Sequence, residues 1–152
     1  MNVTLYPDGY TDIQKYEAIG NIEVYDPDNM VQTPLAKVDN ISNSEVIIFT
    51  QNACVDGQYN TKKLQEACER IRDDIRLDAL LIFDTKGPPR TVYKMSKIID
   101  EYDLIPEINM SYTTTINAST RVVAATNDIS LEKTIEIYKN LPQEIKTVKH
   151  IQ

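Results

Sequence analysis

Two short runs, Val46-Ile-Ile-Phe49 and Leu80-Leu-Ile-Phe83, are apolar at every position, and they constrain the chain more than any other feature. A strand with one wet face alternates apolar and polar residues. An unbroken run of this length, rich in β-branched and aromatic side chains, belongs to a strand buried on both faces. Between the runs, Leu64, Ala67, Cys68, Ile71 and Ile75 recur at helical spacing, with Lys62, Lys63, Glu66, Glu69, Arg70 and Asp73 around the outside. Asn60 stands where an N-cap belongs.

The same logic extends to the end of the chain. Asp84 and the loop Lys86-Gly-Pro-Pro-Arg90 end the second run, and the prolines at 88 and 89 suit entry into a helix starting near Thr91. Val92, Met95, Ile98, Ile99 and Tyr102 form its inner stripe, and Pro106 stops it. Residues 107–126 are rich in Thr, Ile, Val and Tyr, which favours strand, with Asn117-Ala-Ser119 as a hairpin turn. A third helix, capped by Ser130 or Asp128, buries Leu131, Ile135, Tyr138 and Leu141 and ends at Pro142. A last strand spans 145–151. Tyr93, Tyr102 and Tyr138 fall on or near inner helix faces and belong to the core.

The resulting order is strand, helix, strand, helix, strand pair, helix, strand. It predicts an α/β (or α+β) fold, a mixed sheet with three amphipathic helices packed on it. Right-handed crossover makes the first two strands parallel. An open doubly wound sheet and a split-βαβ sandwich both satisfy this order, and strand order is not legible.

Residues 1–44 read differently from the α/β domain of 45–152. Leu5, Ile22, Val24, Tyr25, Val31, Leu35 and Val38 are thinly spread, and Pro7-Asp8-Gly9 and Tyr25-Asp-Pro-Asp-Asn29 are turn signatures. Short strands are expected at 22–24 and 35–38. The region is expected to be a β-rich extended arm or β-meander with little core of its own, packed on the rest of the domain or on a neighbour.

At 152 residues the length fits one core, and a net charge of -7 works against binding a phosphate backbone, so nucleic acid is not an expected partner. No stretch approaches the ~20 apolar residues of a membrane span. Met1–Gly9 lacks the basic and apolar regions of a secretory leader. The expected location is the cytoplasm, or a particle assembled there. Cys54 and Cys68 fit neither a disulfide framework nor a zinc site.

Four glycines, at 9, 20, 57 and 87, cannot build a Walker-type phosphate loop or a dinucleotide fingerprint, which need clustered glycines so that backbone amides approach the phosphates. His150, near the chain end, is the sole histidine and a poor general base there. Cys68 lies on an apolar stripe; Cys54, near the helix start with Lys62 and Lys63, is the thiol with a route to activation. Asp84 ends a buried strand, where ligands collect in open α/β sheets. With Lys86, Arg90 and the helix start at Thr91 it forms a candidate site for a carboxylate or phosphate. Tyr6, Tyr10, Tyr16 and Tyr25 in the sparse N-terminal region are candidate interface residues.

The leading expectation is a non-enzymatic structural or assembly module, such as a virion component, that meets other protein subunits as a homo- or hetero-oligomer and carries no cofactor or metal. Two alternatives stand beside it. One is a small-ligand or phosphate-binding regulatory domain using the Asp84–Arg90 loop. The other is a Mg²⁺-dependent phosphoryl-transfer or nuclease enzyme built on Asp84 with Asp56 or Asp73.

Overall fold

The computed structural model describes residues 1–87 and 90–148. In chain order it contains β1 (Val3–Tyr6), a 3₁₀ segment (Ile13–Ile19), β2 (Ile22–Tyr25), β3 (Lys37–Val38), β4 (Val46–Phe49), β5 (Cys54–Val55), β6 (Gln58–Tyr59) and α1 (Lys62–Ile71). β7 (Leu80–Asp84), α2 (Arg90–Ile99), β8 (Asn109–Asn117), β9 (Thr120–Ala125), α3 (Asp128–Tyr138) and β10 (Glu144–Val148) follow. Pro88, Pro89, His150 and the end of the expected last strand lie outside the described residues.

The two apolar runs are β4 and β7, paired in parallel at the middle of an eight-stranded sheet of order β10-β9-β8-β7-β4-β1-β2-β3. From β3 to β8 every pairing is parallel; β9 runs antiparallel to β8, and β10 parallel to β9. This is a mixed α/β fold with an open, mostly parallel sheet. The β-rich N-terminal region is continuous with it. β1 lies between β4 and β2, so residues 1–44 pack on their own chain, and their pairings are parallel where a meander would be antiparallel. β5 and β6 form a separate small hairpin.

Side chains alternate across each strand, so the buried strands feed two cores. On one face Ile47, Phe49, Leu81, Phe83 and Met110 meet Leu64, Ala67, Cys68 and Ile71 of α1 and Val92, Met95 and Ile99 of α2. Phe49 and Phe83 stack at 4.9 Å between centroids. On the other face Val3, Leu5, Val46, Ile48, Leu80 and Ile82 meet Ile13 and Tyr16 of the 3₁₀ segment and Ile137 and Tyr138 of α3.

Several details differ from the sequence reading. α1 starts at Lys62, one residue beyond an Asn60 cap, although Asn60 Oδ1 still accepts the Lys62 amide at 3.0 Å. Tyr102 is 77% exposed because α2 ends at Ile99, where Asp100 takes the Leu104 and Ile105 amides on its carboxylate. Tyr93 is 60% exposed: with Thr91, Val92, Met95 and Ile99 turned inward, its position faces out, beside Lys97. α3 is capped by Asn127, whose side chain accepts the Ser130 amide at 2.8 Å. Its buried residues are Ser130, Thr134, Ile137 and Tyr138, and Leu131 and Ile135 are only half-buried. Polar side chains can line this inner face because they are paired. Thr134 Oγ1 donates to Ser111 Oγ on β8 at 2.6 Å, and Ser111 Oγ donates to the Ser130 carbonyl at 3.3 Å.

Candidate functional site

In an open doubly wound sheet the ligand crevice lies outside the carboxyl ends of the strands, where the chain reverses its direction of travel across the sheet. Here the chain runs outward from β1 through β2 to β3, then returns to place β4 on the other side of β1. The crevice therefore opens between the turns after β1 and β4 and continues past β7 to β8.

At its centre stands Asp84, the last residue of β7, its side chain 10% exposed. Three partners from three elements converge on Oδ2. The Tyr16 hydroxyl donates at 2.7 Å, the Tyr138 hydroxyl at 2.9 Å, and Arg121 Nη1 of β9 forms an ion pair at 3.2 Å. Arg121 Nη1 also donates to Thr113 Oγ1 at 3.1 Å, and its guanidinium lies 4.5 Å from the centre of the Tyr138 ring. Burial, reinforced by the Asp84 charge, pushes both the Tyr16 and Tyr138 phenols well above their usual value, so both keep their protons and donate at neutral pH. Arg121 is buried, and its Nε has no partner among the described residues.

Two clefts flank this cluster. One, of about 330 Å³, is bounded by the turns after β1, β4 and β7 and by Thr114 and Thr115 of β8. The other, of about 730 Å³, lies towards the β8–β9 hairpin and is bounded by Gln14, Arg121, Leu141 and Gln143 among others. Both are lined by Lys15, Tyr16, Asp84, Lys86 and Thr115, so they form two halves of one groove. The groove carries two lysines, threonine hydroxyls and a buried arginine beside Asp8, Asp12 and Asp84, a polar lining of mixed charge suited to a small polar ligand.

The turn after β1 is built differently. Asp8, 4% exposed, folds its carboxylate back into it. Oδ1 accepts the Tyr10 amide at 3.0 Å and the Thr11 hydroxyl at 2.9 Å, and Oδ2 accepts the Asn52 amide from the turn after β4 at 3.0 Å. At the end of β2, Asp26 takes the Met30 and Val31 amides and the Lys37 ammonium at 2.9–3.0 Å. Burial alone would raise its pKa, but these donors together outweigh burial and hold it below the ordinary carboxylate value.

Of the residues singled out in the sequence, Asp84 and Lys86 line the groove. Arg90 is exposed at the start of α2 and Thr91 is buried, its hydroxyl without a partner among the described residues; neither lines either cleft. Tyr16, proposed for an interface, is the buried donor to Asp84. Tyr6 is also buried, with its phenol raised to about 12 by desolvation; Tyr25 is half-buried edge-on to it at 5.0 Å, and Tyr10 is 87% exposed. Sequence reasoning missed Arg121 and Lys15. Arg121 did carry a signal: it is the one charge in the strand Thr-Arg-Val-Val-Ala-Ala, and a charge inside such a run needs a partner. Asp56, in the turn between β5 and β6, and Asp73, beyond the C-terminal end of α1, line neither cleft beside Asp84. No group of three or more metal-ligating side chains occurs among the described residues.

Neither a family model nor a curated protein matches the chain in sequence. Solved structures do match it in fold. The UDP-D-ManNAc dehydrogenase of Pyrococcus horikoshii superposes with a TM-score of 0.79 at 14% identity, over 99% of this chain and 47% of that one. The UDP-glucose dehydrogenase of Pyrobaculum islandicum gives 0.75 at 11% identity, over 99% and 47%. Prephenate dehydrogenase from A. aeolicus, solved with hydroxyphenyl propionate and NAD+, gives 0.63 at 9% identity, over 98% and 60%. The fold is Rossmann-like, and the chain spans about half the length of the first two proteins. This corrects the leading expectation of a structural, assembly or virion module: nearly the whole chain, its N-terminal strands included, superposes on a fold shared by dehydrogenases. No helix among the described residues is long and apolar enough to cross a membrane.

A fold of this kind raises the question of a nicotinamide dinucleotide. Its pyrophosphate needs glycines in the first βα turn, a helix N-terminus aimed at it, and a free acid about 20 residues on for the ribose. This turn has one glycine, and the element after it is a 3₁₀ segment of seven residues. The acid at the end of β2 is committed to its own loop. The residues present do not fit the group.

Proposed function

We propose that this chain is a small-ligand-binding domain that takes an anionic, polar ligand in the groove around Asp84. One observation carries the reading. At the carboxyl end of the sheet, Lys15, Lys86 and Arg121 line one groove with Asp84, and Arg121 is held there by its ion pair to that carboxylate. Asp84 and its two tyrosines hold the guanidinium in place, while the exposed Lys86 and Lys15 meet the ligand from solvent.

The fold supports the same reading, since crevices at this edge are where such sheets bind small molecules. Nucleotide sugars enter the candidates because two of the proteins sharing the fold are named for UDP-linked sugars. Hydride transfer is not carried over, because the chain lacks the turn that would hold the dinucleotide.

A thermal-shift and calorimetric screen of nucleotides, nucleotide sugars and phosphorylated metabolites tests this. The expected result is a saturable hit weakened about tenfold or more in Lys86→Ala and in Lys15→Ala, with Arg90→Ala nearly unchanged. A hit indifferent to both lysines, or no hit across the panel, removes the reading.

A further inference from the structure

We infer that Asp8 is a built-in substitute for a ligand phosphate, and that this domain has thereby closed the pyrophosphate position of its own fold. A screen without hits would end the proposal for the groove and leave this one standing; a ligand held by Lys15 and Lys86 that leaves the Tyr10 and Asn52 amides unmoved agrees with both.

A phosphate at the switch point of a doubly wound sheet is held by backbone amides of the turn after the first strand and of the helix that follows. In this chain the Tyr10 amide from that turn and the Asn52 amide from the turn after β4 already donate to one carboxylate, one to each oxygen of Asp8. The Thr11 hydroxyl, a second donor to Oδ1, is the third on the carboxylate and is itself within 2.8 Å of Thr50 Oγ1. The carboxylate thus occupies an amide of the turn that a phosphate would use and ties that turn to the one after β4, and it does so from inside, 4% exposed. A carboxylate and a phosphate ask the same of an amide, namely a negative oxygen at hydrogen-bond distance. An incoming phosphate would meet spent donors and a fixed negative charge.

Two further features agree. Gly9 does not adopt a left-handed conformation, and a Cβ placed on it would meet Met30 at an ordinary 3.6 Å. No contact among the described residues therefore requires a glycine at this position. The 3₁₀ segment that follows has its Asp12 cap without a side-chain hydrogen bond, and it offers only seven residues in place of the usual α-helix. The Asp8 bridge also gives the short segment its fixed entry, which a helix would otherwise provide.

The test titrates inorganic pyrophosphate, ADP and NAD+ into the full chain while following the Tyr10 and Asn52 backbone amides by NMR. In the wild type the two amides are expected to stay unmoved up to about 10 mM of each probe. In Asp8→Gly, which frees both donors and removes the charge, pyrophosphate and ADP are expected to bind at least about tenfold more tightly, with Tyr10 and Asn52 shifting. Asp8→Asn, which keeps the side-chain volume, is expected to gain less. Saturable movement of these amides in the wild type overturns the inference, as does a folded Asp8→Gly or Asp8→Asn with no gain. Where neither variant folds, the wild-type titration decides by itself.

Discussion

The two faces of the sheet are held by different physics. The face under α1 and α2 is packed mainly by apolar side chains: Phe49 stacks on Phe83, and Leu64, Ile71, Val92 and Met95 close over them without a polar contact among these side chains. The face under the 3₁₀ segment and α3 has apolar residues too, but its covering elements are tied down by polar pairs. Tyr16 and Tyr138 reach Asp84, and Thr134 reaches Ser111. Burial is tolerant of small shifts, whereas hydrogen bonds fix position within a few tenths of an ångström. The face whose side chains are fixed in position is the one beside the Asp84 groove.

Substitutions can break or sharpen this contrast. The largest loss is expected for Phe83→Ala, about 3–5 kcal/mol, because a fully buried stacked ring leaves a cavity that its neighbours cannot fill. Urea denaturation measures it. Asp84→Ala should follow at about 3 kcal/mol, since it strands the Arg121 guanidinium in the interior. A loss below about 1 kcal/mol would mean that the polar cluster does not hold the second face.

Tyr138→Phe is expected to cost about 1–2 kcal/mol at neutral pH by removing one of Asp84's donors. It also has a pH signature. A phenol whose folded pKa is raised contributes fully below its ordinary value of 10.0, and that contribution is lost as pH rises beyond it, because the unfolded chain ionises first. The wild type should therefore lose stability more steeply than Tyr138→Phe above about pH 10 in a denaturation series.

The smallest effect is expected at Asp26. Its depressed pKa means that its contribution is present above the ordinary 3.8 and fades as pH falls through the lower folded value. Asp26→Asn should consequently be less stable than the wild type at about pH 6 and approach it at about pH 3, as read by thermal melts. A gap that persists unchanged in acid would show that the loop relies on the geometry of this side chain and not on its charge.

The same contrast explains what could be read from the sequence. β4, β7, α1 and the hairpin of β8 and β9 were legible because burial leaves a period, and the apolar face is all burial. The polar face leaves no period. Ser130 and Thr134 look like surface residues until Ser111 is brought to them, and Leu131 and Ile135 look like core. Asp84 was recognisable as a strand-end acid, yet its donors Tyr16 and Tyr138 lie 68 and 54 residues away in the chain. β1 was obscured in another way. Val3–Tyr6 is a good strand, but the turn residues that follow it made the region look peripheral, and only pairing with β4 and β2 reveals it as central. Asp8 was visible as a turn former; its second oxygen, bonded to Asn52 across the crevice, was not.

The placement of the two thiols gives the molecule an internal clock. Burial on the inner side of α1 pushes the Cys68 thiol up, so an alkylating reagent finds almost no thiolate there while the helix is seated. Cys54, half-exposed at the edge of the small hairpin, can be reached without that movement. The lag between first and second labelling therefore times how often α1 lifts from the sheet, and it does so without any engineered probe.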